Sequence, residues 1–309
     1  MIYNIIRRYI FNEASLVYGR DRKMAELKVR FGPAGVPLSA KARDTASGIL
    51  ECSELGLSAM EVEFVRGVKM SIENALECAE VSKENNIRLS AHAPYFINLA
   101  SEDIIKRKKS VQFILHTAKI ANALGAELVV FHAGFYYKNS KEQTYSLIKE
   151  GLQQILSVIK DRKWNVLLAP ETTGRQAQFG TLEEILSLCR ELKGVVPTVD
   201  FAHIHARTNG SLRKRENFCE LFDNIERNLD LLKSPLHIHF TGVEYRNGNE
   251  KKHLSLDKGD LKFELLAQEL KSRKLMATII SESPVLEQDA LKMKDIWERD
   301  CGLQLLPLL

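Results

Sequence analysis

Seven of the eight histidines in this chain stand at the ends of short apolar runs, in company with Glu171, Asp200 and Glu282. Neutral imidazole nitrogens and carboxylate oxygens are ordinary ligands of zinc and its neighbours among the divalent ions. A lone histidine at a run end is more often a hydrogen-bonding group than a ligand. Here six successive runs close on one: His92, His132, Glu171, Asp200 with His203, His237 with His239, and Glu282. That regularity points to a polynuclear metal site.

The runs show what must hold such a site. They are VRFGPAG ending at Gly35, AMEVEFV ending at Val65, IRLSAHA ending at Ala93, ELVVFHAG ending at Gly134, then NVLLAPET, VVPTVDFAH, PLHIHFTG and ATIISESP. Residues 39–55, 71–85, 101–124, 141–160, 181–192, 214–232, 258–274 and 285–297 carry apolar side chains three and four apart, opposite a charged face, as amphipathic helices do. Ser39, Ser71, Ser101 and Thr181 are placed to cap four of them. Strand then helix, eight times over, predicts an α/β fold: a single (β/α)8 barrel whose strand ends converge on one basin. Gly174 and Gly180 are expected to let the loop after the fifth strand turn, and no nucleotide-binding glycine motif is present.

Composition sets the frame. A chain of 309 residues with 45% hydrophobic content fits one barrel domain, placed at residues 24–309. The first 23 residues match no part of the barrel and are expected to be either an extension or the product of a mis-chosen start. No apolar stretch reaches the roughly 18 residues of a membrane span, and MIYNIIRRYIFNE lacks the layout of a signal peptide. A cytoplasmic protein is expected, with no membrane and no obligate protein partner. Five scattered cysteines without a CxxC suggest neither disulfides nor a thiolate zinc ribbon. A net charge of +4 permits a polyanionic partner without requiring one.

SAHAPYFINLAS at 90–101, VVFHAG at 129–134, PETTGRQAQFG at 170–180, VDFAHIHAR at 199–207, LHIHFTG at 236–242, HLSLDKGD at 253–260 and SESP at 281–284 resemble the endonuclease IV family of apurinic/apyrimidinic endonucleases. The resemblance runs from about Arg30 to Trp297 and is closest to the archaeal-type branch, with its GVEY and EKKHLSL segments. It implies a TIM barrel of the xylose isomerase-like superfamily. It also implies three zinc ions and cleavage of damaged double-stranded DNA 5′ to an abasic site.

Carried over residue by residue, the resemblance implies His92 and His132 on a first metal and Glu171 bridging to a second. Asp200, His237 and Glu282 would complete the second, and His203 and His253 would serve the third. The family aspartate two residues before that last histidine is missing, because Lys251 stands there. Glu250 replaces it if the loop from Thr241 to Lys252 shifts by one residue; otherwise the site is binuclear. Zinc is expected, two ions with a third open, and manganese accepts the same ligands.

Clustered divalent ions suit an in-line displacement at a phosphodiester. Glu171 and Glu282 are the expected catalytic carboxylates, with Glu282 beside the attacking water. His239 and His205 are expected to donate hydrogen bonds behind the ligands. Tyr95 matches a family residue that reaches into the gap at a lesion. The family's arginine-rich loop after the second strand is reduced to FVRGVKM, leaving Arg66 and Lys69. Phosphates are expected at Arg207, Arg213, Lys214 and Arg215 rather than at Lys106, Arg107, Lys108 and Lys109, which lie farther from the active face.

Two other functions fit the same barrel. A sugar isomerase or epimerase needs one divalent ion, which Glu171, Asp200, His237 and Glu282 could hold, but leaves four further histidines unexplained. A barrel that binds nucleic acid without cutting it would accommodate Lys251 and the short loop.

Overall fold

The computed structural model describes residues 29–229 and 235–302, the last three by backbone alone. The expected extension and the expected start of the barrel at Met24 lie outside the described residues. In chain order the strands are β1 (Val29–Pro33), β2 (Ala59–Glu63), β3 (Arg88–His92), β4 (Leu128–Phe131), the two-residue β5 (Gly134–Phe135), β6 (Leu167–Pro170), the two-residue β7 (Gln178–Phe179), β8 (Thr198–Asp200), β9 (Leu236–His239), β10 (Gly242–Arg246), β11 (Asn249–Leu254) and β12 (Ala277–Ser281). The helices are α1 (Thr45–Glu54), α2 (Ile72–Glu84), α3 (Ile104–Ala123), α4 (Lys141–Arg162), α5 (Leu182–Glu191), α6 (Phe201–Arg207), α7 (Arg215–Asn228), α8 (Phe263–Ser272) and α9 (Glu287–Gly302).

Eight of these strands are the expected barrel. They form two parallel arcs, β2-β3-β4-β6 and β8-β9-β12-β1. Isolated parallel bridges, Ala34 to Glu61 and Glu171 to Thr198, close the circle. Closure at the β1–β2 seam depends on Gly32, where any Cβ would collide with the Ala59 carbonyl oxygen. Strands covered on both faces read as nearly continuous apolar runs, and in β4 all four residues are buried. Outside the strands, Phe201 is fully buried and stacks on Phe218 of α7 at 5.6 Å between ring centres; burying one phenylalanine stabilises by roughly 1.5–3 kcal/mol.

The structure departs from the sequence reading at several element boundaries. Helix α1 starts six residues after Ser39, with Asp44 as its cap. Helix α3 is capped by Asp103 in place of Ser101. The loop expected between Thr241 and Lys252 is largely the antiparallel hairpin β10–β11. The run VVPTVDFAH does not stay extended to its end: it becomes helical at Phe201, because the Asp200 carboxylate accepts the His203 N–H at 2.7 Å and starts α6.

Candidate metal centre

Glu171 stands at the hub of the site, just past the end of β6 and fully buried. Its Oε2 lies 3.3 Å from Nε2 of His92, at the end of β3, and 3.0 Å from Nε2 of His132, just past β4. Its Oε1 lies 3.1 Å from Nδ1 of His203 and 3.4 Å from Nδ1 of His239. Asp200 faces the same basin, its Oδ2 3.4 Å from His203. Among the described residues, four groups bring ligand atoms within 4.8 Å of one another: His92 with His132 and Glu171; Glu171 with Asp200, His239 and Glu282; Asp200 with His203 and His253; and Glu61 with His237 and His239.

His237 is not where the sequence reading put it. It is His239 that meets Glu171, Asp200 and Glu282, whereas His237 sits deeper, its Nε2 2.9 Å from Glu61. Both point into the barrel, as alternation requires, but β9 ends at His239, so that residue reaches the mouth. Glu61 was missed altogether. It is a fully buried carboxylate inside AMEVEFV: its Oε2 accepts from the Ser90 hydroxyl at 2.6 Å and lies 2.9 Å from Nε2 of His237, and its Oε1 lies 2.9 Å from Nε2 of His239. Glu63, two residues on, also faces inward; neither of its carboxylate oxygens has a partner. The available signal was a pair of glutamates at spacing two in an otherwise apolar strand.

Backbone geometry decides which way the residues around Lys251 face. Across the hairpin, Glu244 pairs with Lys252 and Tyr245 with Glu250, so Lys251 is the extra residue of a β-bulge. The bulge turns Glu250 to the face that carries His253. Glu250 then lies 3.4 Å from Nε2 of His203 and 3.4 Å from Nε2 of His253. Gly174 makes room: a Cβ there would come within 2.9 Å of the Glu250 carboxylate and of the His203 ring. Close approach, not a turn, is what this glycine supplies; Gly180, at φ +135°, does make the turn.

The donor set fits divalent cations. Nδ1 of His92 donates to the Ala93 carbonyl and Nδ1 of His203 to the Thr172 carbonyl, which fixes their tautomers and leaves Nε2 as an acceptor. Nε2 of His92 then faces a carboxylate oxygen, and Nε2 of His203 faces Nε2 of His253 at 3.4 Å. Acceptors facing acceptors need a proton or a cation between them. Glu171 Oε1, Asp200 Oδ2, Glu282 Oε2 and both ring nitrogens of His239 are buried without a hydrogen-bond partner.

Charge tells the same story. Burial pushes the Asp200 carboxyl up to about 7 and that of Glu63 up to about 8. For His92 burial opposes the charged ring, yet Glu63 and Glu171 outweigh it and raise the imidazole to about 10; Glu250 and Glu282 raise His253 to about 9 against the same opposition. Burial works against an ionised Glu282 too, but the nearby charge of His239 holds it down at about 2. Without cations, protons are drawn onto the imidazoles.

Other expected residues fall outside this centre. Tyr95 stands at the mouth, its ring 5.1 Å from that of His92. Arg66 lines a cavity of about 770 Å³ together with Arg43, Lys69 and Glu63. Arg207, expected on a phosphate, spends its guanidinium on Thr173, Arg175 and Tyr136, pinning the loop after β6. Arg213 pairs with Asp260 at 2.7 Å and Arg215 with Glu269 at 2.8 Å. His205 is held between Asp260 and the Leu212 N–H, the hydrogen-bonding role expected of it. The described cysteines are unpaired, and burial raises the thiols of Cys52 and Cys189 to about 12. Among the described residues, no helix is long and apolar enough to cross a membrane.

Comparison with known proteins follows the same lines. An uncharacterised protein of Methanocaldococcus jannaschii is 41% identical over 268 residues, covering 86% of this chain and 96% of its own. A probable endonuclease 4 of the Aster yellows witches'-broom phytoplasma is 28% identical over 199 residues, 62% of this chain and 66% of that protein. Among solved structures, endonuclease IV from Thermus thermophilus superposes with a TM-score of 0.69 at 22% identity, over 87% of this chain and 99% of that one. A D-tagatose 3-epimerase-like protein superposes with a TM-score of 0.65, also at 22% identity, over 83% and 93%. At such identities the two superpositions speak for the fold alone. A family model described as xylose isomerase-like TIM barrel matches residues 49–301, and the chain belongs to that family.

Proposed function

We infer that this protein is a divalent-metal-dependent phosphodiesterase that cuts damaged double-stranded DNA on the 5′ side of an abasic site. One observation carries the reading: a central group joins one neighbouring ligand group through Glu171 and another through Asp200, so that up to three cations can lie side by side in one basin. Zinc suits a donor set this rich in imidazole, and manganese accepts the same carboxylates. His92, His132 and Glu171 would hold one ion, and Glu171, Asp200, His239 and Glu282 a second. His203, His253 and Glu250, with Asp200, would hold a third. Bound ions supply acidity to water and offset charge at the phosphodiester.

The chain's own groups do the rest. Glu282, whose carboxylate faces the same basin, takes a proton from the attacking water. Nδ1–H of His92 and of His203, tied to main-chain carbonyls, keeps those rings from swinging out of the basin. Tyr95, 45% exposed beside His92 and His132, is positioned to contact the sugar gap at a lesion. The relatives named as endonuclease 4 support this reading.

A second reading has its own support in the quartet Glu171, Asp200, His239 and Glu282, enough for the single ion of a sugar epimerase. It gives no use to His92 and His132, or to the Glu250, His203 and His253 group. Parallel assays separate the two: metal-loaded protein is offered a labelled duplex with one abasic site and, separately, a ketose panel. Chelator-sensitive cutting with inert ketoses supports the phosphodiesterase; ketose conversion with an intact duplex refutes it.

A further inference from the structure

Beside the metal centre, on the far side of Tyr95, lies a cavity of about 740 Å³ between the loops that follow β3 and β4. Its walls are aromatic. Phe96 packs edge-on against Phe113 of α3 at 4.7 Å, and Phe135 and Tyr137 lie 5.4 Å apart and tilted by 32°. Phe96 and Tyr137 are not spent on the core: they are 53% and 67% exposed. Tyr137 also sits in the left-handed region at φ +45°, which bulky side chains rarely adopt and which commonly marks a functional position.

The rim is basic where it meets α3. Lys106 and Lys109 line the cavity, and their ammonium groups form no ion pair among the described residues. Two acids stand on the same rim, and of these Asp103 accepts the Ile105 and Lys106 N–H groups as the cap of α3. The sequence reading placed phosphates at Arg207, Arg213, Lys214 and Arg215; of these the three arginines are engaged by neighbouring groups, whereas Lys106 and Lys109, set aside there as a solvated face, remain available. Aromatic faces beside cations are what unpaired nucleic acid requires, since bases stack on rings and phosphates seek ammonium groups.

We propose that this cavity binds an unpaired nucleobase of the DNA, stacked on Tyr137 and Phe96, with its phosphate at Lys106 and Lys109. The inference rests on the phosphodiesterase reading for its link to cleavage and narrows the substrate: the protein favours DNA in which a base next to the cut bond is already unpaired. Tyr95 lines the cavity and also touches the metal-centre histidines, so one strand can run from one site to the other.

The test uses full-length protein in chelator, so that nothing is cut, with oligonucleotides carrying 2-aminopurine in a single strand or unpaired beside an abasic site. Binding is expected to quench the probe, with Tyr137→Ala weakening binding by about 5- to 100-fold, the range for one lost stacking partner. Lys106→Ala with Lys109→Ala is expected to flatten the salt dependence of binding. In the metal-loaded protein, Tyr137→Ala is expected to raise the KM for a duplex with an unpaired base beside the abasic site while leaving kcat within about twofold, because this ring touches no reacting atom. Quenching and affinity unaltered by Tyr137→Ala would overturn the cavity inference while leaving the phosphodiesterase standing. Tyr137-dependent quenching by a protein that cuts no abasic duplex would support the cavity and remove its assigned link to cleavage.

Discussion

Nε2 of His239 lies 2.9 Å from Oε1 of Glu61, while Nδ1 of the same ring lies 3.4 Å from Glu171 and 3.4 Å from Glu282. The imidazole is therefore held from behind by one carboxylate and presented to two others. A carboxylate behind a ligating histidine sets its tautomer and strengthens it as a donor. Glu61→Gln is expected to keep the fold and weaken metal binding by about 10- to 100-fold, read by chelator competition. Unchanged affinity would mean that Glu61 only fills the barrel floor. His239→Ala should lower the metal content, and His237→Ala should lower it less.

Glu250 and Lys251 give a sharper contrast. Glu250→Ala is expected to remove about one bound ion per chain, because the third group loses its only carboxylate besides Asp200. Lys251→Ala should leave the count unchanged. Gly174→Ala, whose Cβ would collide with Glu250, should mimic Glu250→Ala. Metal analysis of the three purified variants checks this, and a full complement in Glu250→Ala would sink the assignment.

Stability of the metal-free protein should fall as pH rises from about 6.5 to 10. In the folded chain His253 titrates at about 9 and His92 at about 10, both above the ordinary 6.5, so the stability they contribute is complete below 6.5 and lost through 9 to 10. Asp200, raised from 3.8 to about 7, acts with the same sign at lower pH, and Glu63, raised from 4.5 to about 8, does likewise. Glu282, lowered to about 2, contributes its share above 4.5 and does not oppose this trend. Metal competes with protons for these groups, so the loaded protein should show a flatter profile. Melting temperatures with and without chelator decide it; a rise with pH in the metal-free protein would contradict the charge balance.

Much of this was legible in the sequence. Apolar runs closing on His92, His132 and Glu171 marked the strands and the side chains gathered at their mouth, because a buried parallel strand must be apolar until it emerges. What failed was depth along a strand: alternation places His237 and His239 on the same side without saying which one reaches the rim. Glu61 was hidden by its own strand, where a polar residue in an apolar run reads as outward-facing unless its partners from β3 and β9 are known. Glu250 depended on a bulge, which arises from pairing between β10 and β11 and leaves no local signature beyond the unexpected Lys251.

The most direct test of the central claim maps the incision itself. A 5′-labelled duplex with one abasic site is incubated with metal-loaded protein, and the product ends are sized against a ladder. The account predicts a single cut on the 5′ side of the lesion, abolished by chelator and slowed by about 10²- to 10⁴-fold in Glu282→Gln, the range for a lost general base. An intact duplex with the metals verified in place, or equal cutting by Glu282→Gln, would contradict it.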